Sequence, residues 1–381
     1  MDQDLTAQDL TALAASLAPR VLDEIVALVA ISTPSGEVAG AEQAVALCGS
    51  FLPDWHIERL PCSTSGCARD MLATLKGTGS RRLLLLGHLD TVVAHAEHQP
   101  PRADGERLYG SGTADMKAGV AVALAVARAC AELSHHFAEL AVLLVCDEEW
   151  RIAPFAHVER FSGYDACLCF EAGEVSEDGQ DGVIVRRKGA GTLRVRAIGR
   201  ASHSGSAPQN GRNALLALAH AAIQVAATSD PGGQDQLTVV PTVVRSGEAV
   251  NVVPAYGELV FDTRSTDTDA FARVLAAVPA EVAGVTLEPV MERVWPAMDS
   301  EAAAAPLLAA GSALLGRPIV PRARGGASDA SHFATTIPLT IDGLGPRGGG
   351  AHTPEEFVHV ASLADRIAVA LSIARAAILQ P

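Results

Sequence analysis

No apolar run in this chain is long enough to span a bilayer. The longest, Val120 to Ala127, stops at Arg128, well short of the ~20 residues a spanning helix needs. Basic residues are in deficit: 29 Lys and Arg stand against 44 Asp and Glu, a formal charge of −15. That balance argues against nucleic acid or an anionic membrane surface as partner. Cysteines are scattered and odd in number, seven in all, so a disulfide framework is not expected. Cys167 and Cys169 flank Leu168 on an expected strand and read as buried thiols, because zinc-site pairs usually have a wider spacing. The opening Met1-Asp2-Gln3-Asp4 is acidic and leads into a helix-like pattern, so no secretory signal is visible. Internal repeats and low-complexity linkers are lacking too. Together these absences point to a reducing cytoplasm.

What is present is an ordinary globular composition, 49% hydrophobic and 19% charged, in 381 residues. That length exceeds what one core usually organises, and two domains are expected. Leu5 to about Ile31 reads as one or two amphipathic helices. Strand and helix signals then alternate up to about Gly173, the rhythm of a mostly parallel sheet. Near Gly182 the pattern changes to period-two alternation, in Val183–Val185 and Thr192–Ala197, as in strands with one solvated face. Helix 211–227, strands 237–240, 249–253 and 258–262, and helix 268–278 give a β-α-β-β-α-β order. From about Val294 the earlier pattern returns, with helices 302–315 and 362–379 around a strand at 338–342. The expected architecture is a discontinuous α/β domain, residues 1–182 and 294–381, with a mostly parallel sheet and helices on both faces. Residues 183–293 form an inserted two-layer α+β (ferredoxin-like) domain.

Three apolar runs end in metal-binding side chains. Leu83–Leu86 runs into Gly87-His88-Leu89-Asp90, Ala141–Val145 into Asp147-Glu148-Glu149, and Ala166–Phe170 into Glu171. Short continuous runs read as strands buried on both faces, and ligands bind beyond the carboxyl ends of such strands. Imidazole and carboxylates crowded there are costly to leave uncompensated, so a multivalent cation is the natural partner. Asp115 adds a carboxylate at the start of the helical segment 118–133, where negative charge is favoured. His352 follows in the loop Gly348-Gly349-Gly350-Ala351-His352-Thr353-Pro354. Two imidazoles and three carboxylates can hold two zinc ions if one carboxylate bridges, and such pairs activate a shared water. Glu148 and Glu149 diverge at a strand end, which lets one ligate while the other carries protons. His95, His98, His135 and His136 lie in polar or helix-end settings and are not counted.

Gly87-His88-Leu89-Asp90-Thr91-Val92, then Tyr109 to Gly119, then Asp147-Glu148-Glu149 resemble metallopeptidase family 20. That family contains the aminoacylases, the acetylornithine and succinyl-diaminopimelate deacylases and the bacterial glutamate carboxypeptidases. The resemblance covers nearly the whole chain in order, including the insertion and the Ala351-His352-Thr353 loop. It implies a zinc-peptidase-like catalytic domain, with the insertion acting as lid and dimerisation domain of a homodimer. It also implies two divalent ions, zinc first and cobalt or manganese as alternatives. Asp115 would bridge them, His88 and Glu171 completing one site, Glu149 and His352 the other. Asp90 resembles the carboxylate that orients His88, and Glu148 the general base acting on a metal-bridging water. Glu174 competes for the place of Glu171, which stands directly at the strand end. Gly199 to Gly205 resembles the segment whose histidine, here His203, stabilises the oxyanion in the other subunit. Asn251 and Arg264 resemble positions that hold the substrate carboxylate, and Arg187 is a further candidate. At Ser328-Asp329 the resemblance concerns that pair, not the nearby His332.

Two stretches depart from the family pattern. Trp150-Arg151-Ile152-Ala153-Pro154 stands where small residues are usual, and Trp150 there would shape the acyl side of the pocket. The acidic segment 174–178 supplies no cation for a glutamate side chain before Arg186. The expected activity is metal-dependent hydrolysis of an amide next to a free carboxylate, in a small N-acyl amino acid or short peptide. The glutamate carboxypeptidase branch leads, because Arg187–Gly191 and Gly325–Asp329 most resemble it. The alternative is an N-acyl-amino-acid deacylase, such as acetylornithine deacetylase or succinyl-diaminopimelate desuccinylase. A non-enzymatic metal-binding scaffold is the third reading, opposed by the presence of Glu148 beside every expected ligand.

Overall fold

The computed structural model describes residues 5–176 and 178–379. The acidic opening at Met1–Asp4 and Glu177 of the acidic segment lie outside the described residues. The chain divides into two compact units, one of Met1–Arg186, Asp299–Ala323 and Ser328–Pro381, the other of Arg187–Met298 with Arg324–Ala327.

The first unit is built on a six-stranded sheet. Its order is His56–Leu60, Asp70–Lys76, Phe137–Val145, Arg81–His88, Ala166–Cys169 and Thr340–Ile341. The last four strands are parallel and the first two add an antiparallel edge. Leu83 to Leu86 are each at most 1% exposed, which is why their run carries no alternation. Burying each leucine contributes about 1.5–3 kcal/mol. Leu83 and Leu85 join the core made with helices Ala118–Cys130 and Ser362–Leu379. The short helix Asp329–Phe333 packs against Arg81–His88 and Ala166–Cys169. The N-terminal segment is one helix, Ala7–Val29, started by a capping box between Thr6 and Asp9.

The second unit is a five-stranded antiparallel sheet. Its order is Thr238–Ser246, Tyr256–Ser265, Gly189–Ile198, Val285–Trp295 and Glu281–Val282. Leu193, Val195 and Ala197 face a core shared with helices Ala214–Ala226 and Ala270–Ala276. Arg194, between them, pairs with Glu258 and Glu292. The unit is therefore two-layered α+β.

Two local expectations need correction. Val183–Val185 is not half-solvated: all three residues are at most 1% exposed, in strand Asp181–Arg187. The chain at that point still belongs to the first unit. Ala249–Val253 is not a strand but a turn with one isolated bridge, Val252 to His203. Gly247, at φ 82°, and Pro254, which has no N–H to donate, bracket it. The strand expected at 237–240 is present and runs on to Ser246, as Thr238–Ser246, with an irregular register after Pro241.

Candidate metal centre

The parallel strands deliver His88 and the Asp147-Glu148-Glu149 turn to one edge, where Asp115 and His352 meet them. Asp115 Oδ1 lies 3.0 Å from His88 Nε2, and Asp115 Oδ2 lies 3.2 Å from His352 Nε2. His352 Nε2 is also 3.1 Å from Glu149 Oε1. Glu171 Oε1 stands 3.8 Å from His88 Nε2, while Glu174 instead faces Arg322 at 3.9 Å. His88 Nδ1 is 3.0 Å from the backbone oxygen of Asp90, so its Nε2 is the nitrogen directed at the carboxylates. His88, Asp115 and Glu149 offer ligand atoms within 4.8 Å of one another.

Asp90 organises the turn. Its Oδ1 accepts the Glu148 N–H at 3.0 Å and its Oδ2 the Glu149 N–H at 3.1 Å. Ser35 Oγ donates to Oδ2 at 2.7 Å. Asp90 is 1% exposed, and these donors anchor it beside His88. Glu356 does the same for Asp115: its buried carboxylate accepts the N–H groups of Gly112, Ala114 and Asp115 at 2.8, 2.8 and 2.9 Å. His352 has φ 66°, a left-handed conformation that costs a non-glycine residue about 1–2 kcal/mol. The loop bears that strain while presenting a half-exposed imidazole.

The electrostatics match a cation site. Burial favours neutral His88, but hydrogen bonds to Asp115 and Asp90 outweigh it and hold the imidazole well above its ordinary pKa. Hydrogen bonds to Asp115 and Glu149 push His352 up to about 10. Burial disfavours charge on Asp115, yet the two imidazoles carry its carboxyl well below the usual range. Burial pushes Glu148 well above it; His88 opposes the rise, and Asp329, Glu149 and Glu171 add to it. The five carboxylates of Asp90, Asp115, Glu148, Glu149 and Glu171 thus share two imidazoles. This all-oxygen-and-nitrogen donor set suits a pair of dications.

Other residues stand apart or do different work. His95 bonds Ser32 Oγ at 2.7 Å, and His332 packs edge-on against Phe155. Ser328 Oγ donates to Asp342 Oδ2 at 2.6 Å. Arg151, fully buried, binds Asp329 Oδ1 and lies with its guanidinium 4.0 Å from the centre of the Phe155 ring. Trp150 is 55% exposed, and Ile152, two residues on, is 59% exposed. The indole ring lies over Gly36, where any Cβ would come within 1.8 Å of Trp150 Cζ3. Ser35, Glu356 and Arg151 were not expected from sequence; none sits in a pattern that would mark it.

In the second unit His203 Nδ1 accepts the N–H groups of Gly205 and Ser206, both at 3.1 Å. That leaves Nε2 as the ring nitrogen able to donate. Asn251 is exposed, and its backbone oxygen accepts the Ser204 N–H at 3.0 Å. Arg264 is held against Asp262 at 3.0 Å. Arg187 is 5% exposed and donates from Nη1 to the Gly326 oxygen at 2.8 Å.

The chain is similar to several known proteins. Carboxypeptidase G2 of Pseudomonas sp. (strain RS-16) is 26% identical over 377 residues, covering 92% of this chain and 88% of that one. A [LysW]-lysine/[LysW]-ornithine hydrolase of Sulfurisphaera tokodaii is 26% identical over 205 residues, 53% of this chain and 54% of its own length. The crystal structure of a tripeptidase from Staphylococcus aureus superposes with a TM-score of 0.79 at 22% identity, over 95% of this chain and 99% of the other. Residues 84–376 match the model of peptidase family M20/M25/M40. That span holds His88, Asp90, Asp115, Glu148, Glu149, Glu171 and His352, and it shows that this chain belongs to peptidase family M20/M25/M40, as a hydrolase of peptide or related amide bonds.

Proposed function

We propose that this protein is a dinuclear metal-dependent amidohydrolase that cleaves an amide next to a free carboxylate, in the manner of a glutamate carboxypeptidase. The observation that carries this reading is Asp115, whose two oxygens stand 3.0 and 3.2 Å from different imidazoles. His88, Glu171 and one oxygen of Asp115 would hold one ion; His352, Glu149 and the other oxygen would hold the second. Zinc suits these donors best, with cobalt or manganese as substitutes. When bound, such a pair polarises a carbonyl and lowers the pKa of a shared water.

The chain's own groups supply the rest. Glu148, positioned through its N–H by Asp90, takes a proton from the attacking water and delivers it to the departing amine. Asp90 keeps the His88 ring oriented. His203 donates from Nε2 to the developing oxyanion, reaching the active site of a partner copy in a homodimer. Asn251 and Arg264 hold the substrate carboxylate. Arg187, buried against Gly326, is the weakest of the three candidates. Trp150 shapes the acyl side of the pocket. The scattered, odd-numbered cysteines of the sequence favour a reducing, cytoplasmic setting.

The likeness to carboxypeptidase G2 supports the carboxypeptidase branch. The partial likeness to a [LysW]-lysine/[LysW]-ornithine hydrolase favours, as second reading, an N-acyl-amino-acid deacylase. Assaying metal-loaded protein on N-acetyl amino acids, dipeptides and N-aroyl glutamates separates them. Preferred cleavage of the glutamates supports the first; turnover of N-acetyl amino acids alone supports the second. Chelation that leaves the rate unchanged overturns both.

A further inference from the structure

Asp147 immediately precedes Glu148 and Glu149 but has no place in the centre described above. Its side chain is fully buried. Oδ2 accepts the Thr64 N–H at 2.8 Å, while Oδ1 has no hydrogen-bond donor, with Arg151 Nε standing off at 3.5 Å. Ligand atoms of Cys62, Asp70 and Asp147 lie within 4.8 Å of one another. Asp70 is fully buried as well; its Oδ1 accepts the Cys146 N–H at 3.0 Å and its Oδ2 lies 2.8 Å from His157 Nε2. Burial raises the pKa of the Cys67 thiol, and the neighbouring Cys62 thiol offsets part of that rise. Between the two cysteines the chain turns at Gly66, φ 88°.

We propose that Cys62, Cys67, Asp70 and Asp147 form a separate site for one zinc-like divalent cation, pinning the loop of residues 62–67 to the residue that opens the Glu148-Glu149 turn. The cost of two buried carboxylates, one with an oxygen outside any hydrogen bond, is only partly offset by Arg151 at 3.5 Å and by His157. A dication removes that cost, and thiolate sulfur selects zinc over calcium or magnesium. Cys62-Ser63-Thr64-Ser65-Gly66-Cys67 has four residues between its cysteines, within the spacing of zinc-binding pairs. Cys62, Asp70 and Asp147 supply three clustered donors, and Cys67 would complete the four that structural zinc sites require. His157 on Asp70 is the kind of outer partner that orients a ligating carboxylate. Burial, together with Asp70 and Asp147, pushes the Cys62 thiol far above its ordinary pKa, so binding exchanges a thiol proton for the cation.

The test uses the full chain, reduced, stripped of metal and reloaded with cobalt(II). The Asp115 centre contains only nitrogen and oxygen donors, so a sulfur-to-cobalt charge-transfer band in the near ultraviolet reports the proposed site alone. The wild type is expected to show this band and to bind one more cobalt per chain than Cys62→Ser, which loses the band. A second readout needs no variant. Cys62 and Cys67 are the two cysteines that are not buried, so a disulfide reagent should label this pair in stripped protein and be blocked by zinc. Absence of the band at saturating cobalt, or labelling unaffected by zinc, overturns the proposal. Loss of hydrolysis with the band retained would instead count against the Asp115 centre.

Discussion

Replacing Arg151 with methionine removes a guanidinium from beside the Glu148-Glu149 turn, where it is fully buried. Arg151 binds Asp329 Oδ1 and approaches Asp147 Oδ1 at 3.5 Å. Methionine keeps much of the aliphatic volume against Phe155. It leaves Asp329 and Asp147, 3% and 0% exposed, without their nearest cation. Breaking a buried pair by removing one partner costs about 3–5 kcal/mol. For a unit of this size each kcal/mol lowers Tm by about 2–4 °C, so Tm should fall by roughly 6–20 °C at about pH 8.

The pH dependence has a definite sign. Burial pushes Asp329 up to about 7 in spite of Arg151, and without the guanidinium its pKa rises further. The orphaned carboxyl therefore takes up a proton as pH falls through that range, and the deficit against wild type narrows at about pH 6. Adding Asp329→Asn to the same chain removes one stranded charge and should recover at least half of the loss. Calorimetry of the wild type, both single variants and the double variant completes the cycle. An Arg151→Met protein within about 1 kcal/mol of wild type at about pH 8, or a double variant no more stable than that single one, refutes the reasoning.

Glu148→Gln should retain its metal, measured by elemental analysis, while kcat falls by about 10²–10⁴; an unchanged kcat removes Glu148 from the proton-transfer role. Asp90→Asn should weaken metal affinity about 10–100-fold, because it loosens His88 and the N–H groups of Glu148 and Glu149 together. His352, pushed up to about 10, and His88, held well above its ordinary value, are both protonated near neutrality in the metal-free protein. Metal affinity should therefore rise with pH until about 10, with about two protons released on loading; calorimetry in buffers of different ionisation enthalpy counts them. Trp150→Ala should raise KM about 5–30-fold for N-benzoyl substrates and much less for N-acetyl ones; equal effects would take the indole out of acyl recognition.

The parts of the fold legible in the sequence are those whose burial leaves a local pattern. Leu83 to Leu86 lie on a strand covered on both faces, and an unbroken apolar run is the only pattern that environment permits. Val183–Val185 is misjudged for the same reason: three residues cannot distinguish a half-solvated strand from a covered one. Ala249–Val253 has the β-branched side chains of a strand, but Gly247 and Pro254 decide its conformation. The ligand-bearing strand ends are legible because the donors follow the apolar runs directly.

The supporting residues act across long separations. Asp329 lies 178 residues from Arg151, and Glu356 lies 244 residues from Gly112. Glu356 binds backbone N–H groups, which every residue but proline possesses. Gly112-Thr113-Ala114 would therefore read the same whether or not a carboxylate waited to receive it. Ligands must carry particular side chains and so mark their own segments. Groups that hold a ligand through its backbone leave no mark on the segment they hold, which is why Asp115 can be found in the sequence and the residue that fixes its turn cannot.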